Sequence, residues 1–270
     1  MINLSRRMWI AVVLAMGIYS PAGRAQSLDA VRKAGTINIG VKADSKPWAY
    51  LDPTGKSVGW EIDLAQAIAA KLGVEAKLTT VTSANRIQFL EQGMVDMLIA
   101  TMSDTPERRR VVHMIEPPYF ADATNLLATE ASPIKKWNDV KGRKICGVQG
   151  SIYNRPLQQK YGAEVVAFGG LTESLSAVQS GACEGVVYAD QVLRETAGSP
   201  DWKGYIVKLE PIDETPWAMA IRKGEADSEL AKTLSQIVAD WHRTGYFVET
   251  AKKWRLESNP FLIRRSKTGG

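Results

Sequence analysis

Along this chain short continuous apolar runs alternate with stretches whose apolar residues recur every three to four positions, a pattern that predicts strands followed by helices. Thr36–Val41 (TINIGV) follows Gly35 as a first strand, and 61–72 places Leu64, Ile68 and Leu72 on one helical face with Gly73 set to end it. Residues 76–81 read as a second strand, 85–92 as a helix, and 95–101 (VDMLIAT) as a strand buried on both faces. The pattern then restarts. GRKICGV at 142–148 repeats the glycine spacing of GTINIGV at 35–41, followed by a helix at 155–161, a strand at Glu164–Phe168, a helix at 172–179 and a strand at 185–188 (GVVY). Two similar halves of alternating strands and helices predict an α/β protein of two lobes, each a mostly parallel sheet flanked by helices. Near the end, 227–243 carries Leu230, Leu234, Ile237, Val238 and Trp241 at helical spacing before Gly245, which predicts a packing helix.

Residues 1–25 stand apart from this pattern. Arg6 and Arg7 precede an apolar run from Met8 to Tyr19, and Ser20, Pro21, Gly23 and Ala25 follow it, which predicts a cleaved secretory leader and a mature chain starting near Gln26. The run is shorter than the roughly 20 helical residues that span a bilayer. The leader holds Arg6, Arg7 and Arg24 and no acids; removing these three from 34 basic residues leaves 31 against 29 acidic ones, so the basic sequence pI carries no nucleic-acid signal. Export also places Cys146 and Cys183 in an oxidising compartment, where an isolated pair favours a disulfide across neighbouring strands of the second half. With only two cysteines and two histidines, His113 and His242, a zinc site has no support, and the motifs of nucleophilic hydrolases and nucleotide-binding loops are absent from the sequence. Trp60, Trp202 and Trp254 are assigned packing roles.

The chemistry concentrates in ATMSDTPERRR, residues 100–110. It follows a predicted buried strand and carries a strong helix start, with Thr105 as N-cap, Pro106 at the first helical position and Glu107 in the first turn. Open α/β sheets bind ligands at the carboxyl ends of their strands. Thr101 and Ser103 offer hydroxyls there, and Arg108 offers a planar fork suited to a carboxylate or phosphate. On these residues alone the stretch reads equally well as a capped helix with a solvated arginine face.

Five segments weight the choice: VGWEIDLAQAIAAKLG (58–73), GMVDMLIATMSDTPERRRVV (93–112), EPPYF (116–120), DVKGRKICGVQGS (139–151) and the terminal GYF…KKW. From residue 35 to 255 the chain resembles the periplasmic family 3 solute-binding proteins of amino-acid ABC importers, closest in motif to their aspartate/glutamate-binding branch. The resemblance implies the two-lobed type II periplasmic-binding-protein fold, with lobe one at 27–119 plus 217–258, lobe two at 123–213, two crossover strands between them and a C-terminal tail at 259–270. It implies a monomer without cofactor or metal that closes on an amino acid and delivers it to membrane permease subunits. Arg108 matches the arginine that grips the ligand α-carboxylate, with Ala100, Thr101 and Ser103 on the same loop. Lys42 and Arg86 match basic residues that read an acidic side chain, with Ser83 beside them, although exposed charge next to the cleft is the alternative for both. In lobe two the resemblance points to Ser151 and Asp190. Two departures stand out: Ala189 occupies the position where a carboxylate for the α-ammonium is usual, and Ile152 follows Ser151 where threonine is common. These suggest a ligand with a masked amine or a plain dicarboxylate. A periplasmic prephenate or arogenate dehydratase, which resembles the same fold, is the alternative function, and the sensor domain of a receptor is a third.

Overall fold

The computed structural model describes residues 28–256 and 258–268; the predicted leader lies outside them. Two sheets organise the chain. The first runs in the order Glu75–Thr80, Thr36–Val41, Met97–Leu98, Ala220–Arg222, Val112–Met114. Its first three strands pair in parallel, and Ala220–Arg222 returns antiparallel to both neighbours. The second sheet repeats the scheme: Glu164–Phe168, Lys144–Val148 and Gly185–Ala189 pair in parallel, and the long strand Phe120–Thr129 runs antiparallel beside them, followed by Tyr205–Val207.

The glycine echo has a structural reason in both halves. Gly35 and Gly142 open their strands with φ of 67° and 70°, in the left-handed region that favours glycine. The second glycines serve close approach: a Cβ on Gly40 would lie 2.6 Å from Leu98 Cδ2, and one on Gly147 would lie 2.2 Å from Asn154 Oδ1.

Lobe one buries the helix Trp60–Leu72 through Leu64, Ile68 and Leu72, and Gly73 caps it in the left-handed conformation. The helix Glu229–Arg243 packs on the same lobe with its predicted stripe buried, capped by Ser228, whose hydroxyl accepts from Ala231 N at 3.1 Å. The lobes are joined by antiparallel chain at 115–122 and 213–219, where Tyr119 N bonds Trp217 O at 3.0 Å and Ile115 N bonds Met219 O at 2.8 Å. Trp48, Trp60, Phe120 and Trp217 pack at this junction with ring centroids 5.1–5.7 Å apart, an apolar anchor at the root of the cleft.

Three expectations change. The segment 95–101 forms only a two-residue strand, Met97–Leu98, because its later carbonyls and amides bond side chains instead of a sheet. The stretch read as a tail contains the helix Pro260–Thr268, with Phe261 and Leu262 buried. Asn259 ties it down: its side-chain amide donates to Ala121 O at 3.1 Å and its oxygen accepts from Phe261 N at 3.0 Å. Cys146 and Cys183 form a disulfide with Cα atoms 5.6 Å apart, but Cys183 lies in the turn before Gly185–Ala189 rather than on that strand. Among the described residues no helix is long and apolar enough to cross a membrane.

Candidate functional site

The apolar run ending at Ile99 delivers the chain to the carboxyl edge of the first sheet, where Ile99 N still bonds Gly40 O at 3.0 Å. Beyond it two buried side chains take over the backbone. Arg86, 2% exposed, donates from Nη1 to Ala100 O and to Thr101 O. Glu61 accepts from Thr101 N at 2.8 Å and from the Tyr119 hydroxyl. Thr101 is held at φ 46°, an uncommon value for a threonine, and these contacts fix it there.

The chain then enters the helix Pro106–Val111, with the Thr105 hydroxyl accepting from Arg108 N at 3.3 Å. This helix splits the arginine run. Arg109 turns outward to Asp104 and Glu116, Arg110 is exposed, and Arg108, 8% exposed, turns inward. Its Nη1 donates to Ser103 O at 2.8 Å and its Nη2 reaches Gly150 O at 3.1 Å, which lies in lobe two.

Around Arg108 the two lobes close on a narrow polar cavity. Ser83, Arg86, Thr101 and Ser103 line it from lobe one; Ser151, Ile152, Tyr153 and Tyr188 line it from lobe two; Trp217 closes it at the crossover. The free space is about 10 Å³, room for roughly one water, so the lining side chains nearly meet and a ligand would have to part them. Gly150 packs so closely on Ser83 and Ala84 that a Cβ there would lie 2.5 Å from Ser83 O, so the lobes meet in a closed arrangement. A second bridge crosses the cleft where Leu171 N, at the start of the helix Leu171–Gln179, donates to Asp44 Oδ2 at 2.8 Å.

The electrostatics of the cavity are one-sided. Burial first, and the neighbouring Arg86 second, push the Arg108 guanidinium down to about 9, still charged at neutral pH. Burial also lowers Arg86, partly offset by the nearby tyrosines and Glu61. Glu61 sits behind the loop, where burial pushes it up to about 7 against the hydrogen bonds of Tyr119 and Thr101. Three buried polar atoms on lining residues have no protein partner: Arg86 Nε, Thr101 Oγ1 and Trp217 Nε1.

Six of the residues singled out in sequence therefore meet at one cavity: Ser83, Arg86, Thr101, Ser103, Arg108 and Ser151. Ala100 lies beneath it, fully buried, with its carbonyl committed to Arg86. Lys42 and Asp190 do not line it. Lys42, 1% exposed, pairs with Asp44 Oδ1 at 2.9 Å and donates to Ser83 Oγ at 3.4 Å, so a neighbour two residues along already neutralises it. Asp190 opens the helix Asp190–Ala197 and accepts from Asn125 Nδ2 at 2.5 Å and Arg194 Nε at 2.8 Å, on a separate hollow. Tyr153, Tyr188 and Trp217 also line it and do not stand out in the sequence, because an aromatic residue in an apolar stretch gives the same pattern facing a core or a cavity.

A family model of bacterial extracellular solute-binding proteins, family 3, matches residues 37–257, which includes both sheets and every cavity-lining residue. The chain belongs to this family. It is 31% identical over 247 residues to the ABC transporter glutamine-binding protein GlnH of Bacillus subtilis (strain 168), covering 89% of each chain. It is 25% identical over 244 residues to the glutamate/aspartate import solute-binding protein of Salmonella typhimurium, covering 84% of this chain and 79% of that one. Among solved structures it resembles the ancestral amino acid-binding protein AncCDT-1, a precursor of cyclohexadienyl dehydratase, with TM-score 0.76, 26% identity and coverage of 84% and 98%. The type II periplasmic-binding-protein fold follows from these likenesses together with the two sheets and their double crossover.

Proposed function

We propose that this family 3 solute-binding protein is the extracytoplasmic capture component of an amino-acid ABC importer, and that its ligand is a small acidic molecule of the glutamate/aspartate type. The single observation behind the acidic ligand is the burial of two guanidiniums, Arg86 and Arg108, at one small cavity with three unmet polar atoms. A buried arginine without a counter-charge is costly, and a bound carboxylate removes that cost. Arg108 grips one carboxylate with the Thr101 and Ser103 hydroxyls beside it, while Arg86 and Ser83 meet the second. Closure follows from contacts made by both lobes, since a ligand touching both favours the closed population. The closed form, released to the periplasm by leader cleavage and acting as a monomer, then docks on the permease. GlnH of B. subtilis is named for glutamine and the Salmonella relative for glutamate and aspartate; the two arginines favour the second kind of ligand.

Calorimetric titration of residues 26–270 with glutamate, aspartate, glutamine and arginine tests this reading. The acidic ligands should bind at least about tenfold tighter than the neutral and basic ones, and preference for glutamine or arginine overturns it. The likeness to a dehydratase precursor keeps an enzymatic reading open to the same preparation: turnover of prephenate or arogenate would establish it, and needs a general acid poised in the cleft.

A further inference from the structure

The cavity's polar inventory is lopsided in a way that bears on the rest of the ligand. Among its described lining residues are two guanidiniums, four aliphatic hydroxyls, two phenols and an indole, and no carboxylate. The acids nearest the cleft are each already engaged elsewhere, Asp104 with Arg109 on the outer side of the helix start. Glu61 is behind the Thr101 loop, bonded to Tyr119 and Thr101 N. Asp44 holds Lys42 and the Leu171 amide. Asp122 accepts from the amides of Ala123 at 2.8 Å and Gln191 at 3.2 Å. Asp190 is taken by Asn125 and Arg194. An ammonium enclosed here would face Arg86 and Arg108 with only neutral oxygens to receive it, adding a third like charge to a site shielded from water.

Lobe two instead presents neutral hydroxyls. Tyr153 and Tyr188 form an edge-on pair with centroids 5.2 Å apart, and Ser151 stands beside them. A phenol or serine hydroxyl can donate to a keto, hydroxyl or carboxylate oxygen as readily as it accepts. We infer that the cavity takes a small dicarboxylate that carries no free ammonium, its two carboxylates on Arg86 and Arg108 and any further substituent a neutral oxygen facing the lobe-two hydroxyls. This rests on the proposed reading of the site as a cleft for an acidic ligand and departs from it in the amine, making glutamate and aspartate the weaker of its acidic ligands.

The test is calorimetry on the full mature chain with 2-oxoglutarate, glutarate, glutamate and glutamine at one pH and salt concentration. The 2-oxo acid should bind tighter than glutamate by about tenfold or more, the scale of a charged group left without a partner. Glutamate binding as tightly as the 2-oxo acid, or more tightly, overturns the inference and leaves the acidic cleft standing. Binding of glutamine alone, or silence with all four ligands, overturns both. A second arm uses Ser151→Asp, which adds a carboxylate among the lining residues: glutamate should gain on 2-oxoglutarate by roughly tenfold. An unchanged ranking in a folded variant counts against the inference, and the wild-type ranking stands as a test even where the variant fails to fold.

Discussion

The two lobes share a sheet scheme and divide the chemistry. At the carboxyl edge of the first sheet, Met97–Leu98 runs into a loop whose backbone is gripped by Arg86 and Glu61, with Arg108 inward on the helix that follows. At the matching edge of the second sheet, Lys144–Val148 runs into Ser151 and Tyr153 and Gly185–Ala189 presents Tyr188 near its end, and these three carry no formal charge. Repeating the topology gave two edges facing one another, and what faces the cavity differs: one edge supplies charge and rigidity, the other hydroxyls and enclosure. Fold similarity between halves therefore says little about which half discriminates among ligands.

The contrast can be broken most sharply at Arg108. Arg108→Ala should weaken binding of the acidic ligand by about 3–5 kcal/mol, beyond a hundredfold, because it strands a buried carboxylate; calorimetry reads this directly, and a loss under tenfold would remove lobe one's primacy. Next in size is the disulfide that serves lobe two alone. It closes a separation of 37 residues, so Cys146→Ser with Cys183→Ser should lower stability in urea titration by about 2–4 kcal/mol while leaving the ligand ranking unchanged.

A third effect concerns pH. Glu61 in lobe one is raised to about 7 and Asp122 at the crossover to about 8, each chiefly by burial. Both folded-state values lie above those of the unfolded chain, so the folded protein holds protons that the unfolded chain has released. From these two groups the contribution to stability is fully present below about pH 4 and is lost as pH rises from there through about 8. The melting temperature should drop across that window, and Asp122→Asn should flatten the drop; an unaltered slope would show that Asp122 is not a source. Smallest are the lobe-two hydroxyls. Tyr153→Phe or Ser151→Ala should each cost about 0.5–1.5 kcal/mol of binding, and a loss matching that of Arg108→Ala would erase the distinction between the lobes.

Much of this was legible in the sequence, for identifiable reasons. Thr36–Val41 and Glu164–Phe168 form strands over the residues where continuous apolar runs predicted them. Thr105 and Pro106 start their helix because capping is a local interaction. What depended on three-dimensional neighbours was hidden. The predicted strand at 95–101 shortened because Glu61 and Arg86, distant in sequence, claimed its polar groups. Lys42 looked like a ligand reader because the turn that brings Asp44 back onto it leaves no periodic trace. Tyr188 carried one usable signal, its place at the carboxyl end of a parallel strand, where open sheets gather ligands.

The bridge from Asp44 to the Leu171 amide carries a kinetic meaning. It lies outside the cavity lining, yet it joins the two lobes, and Lys42 keeps its carboxylate ionised. In the proposed capture cycle an enclosed ligand leaves after this contact and the Arg108–Gly150 bond have parted. Escape is then timed by the unfastening of protein from protein, and a transporter that pries the lobes apart at these two points could set delivery speed without competing for the cargo itself.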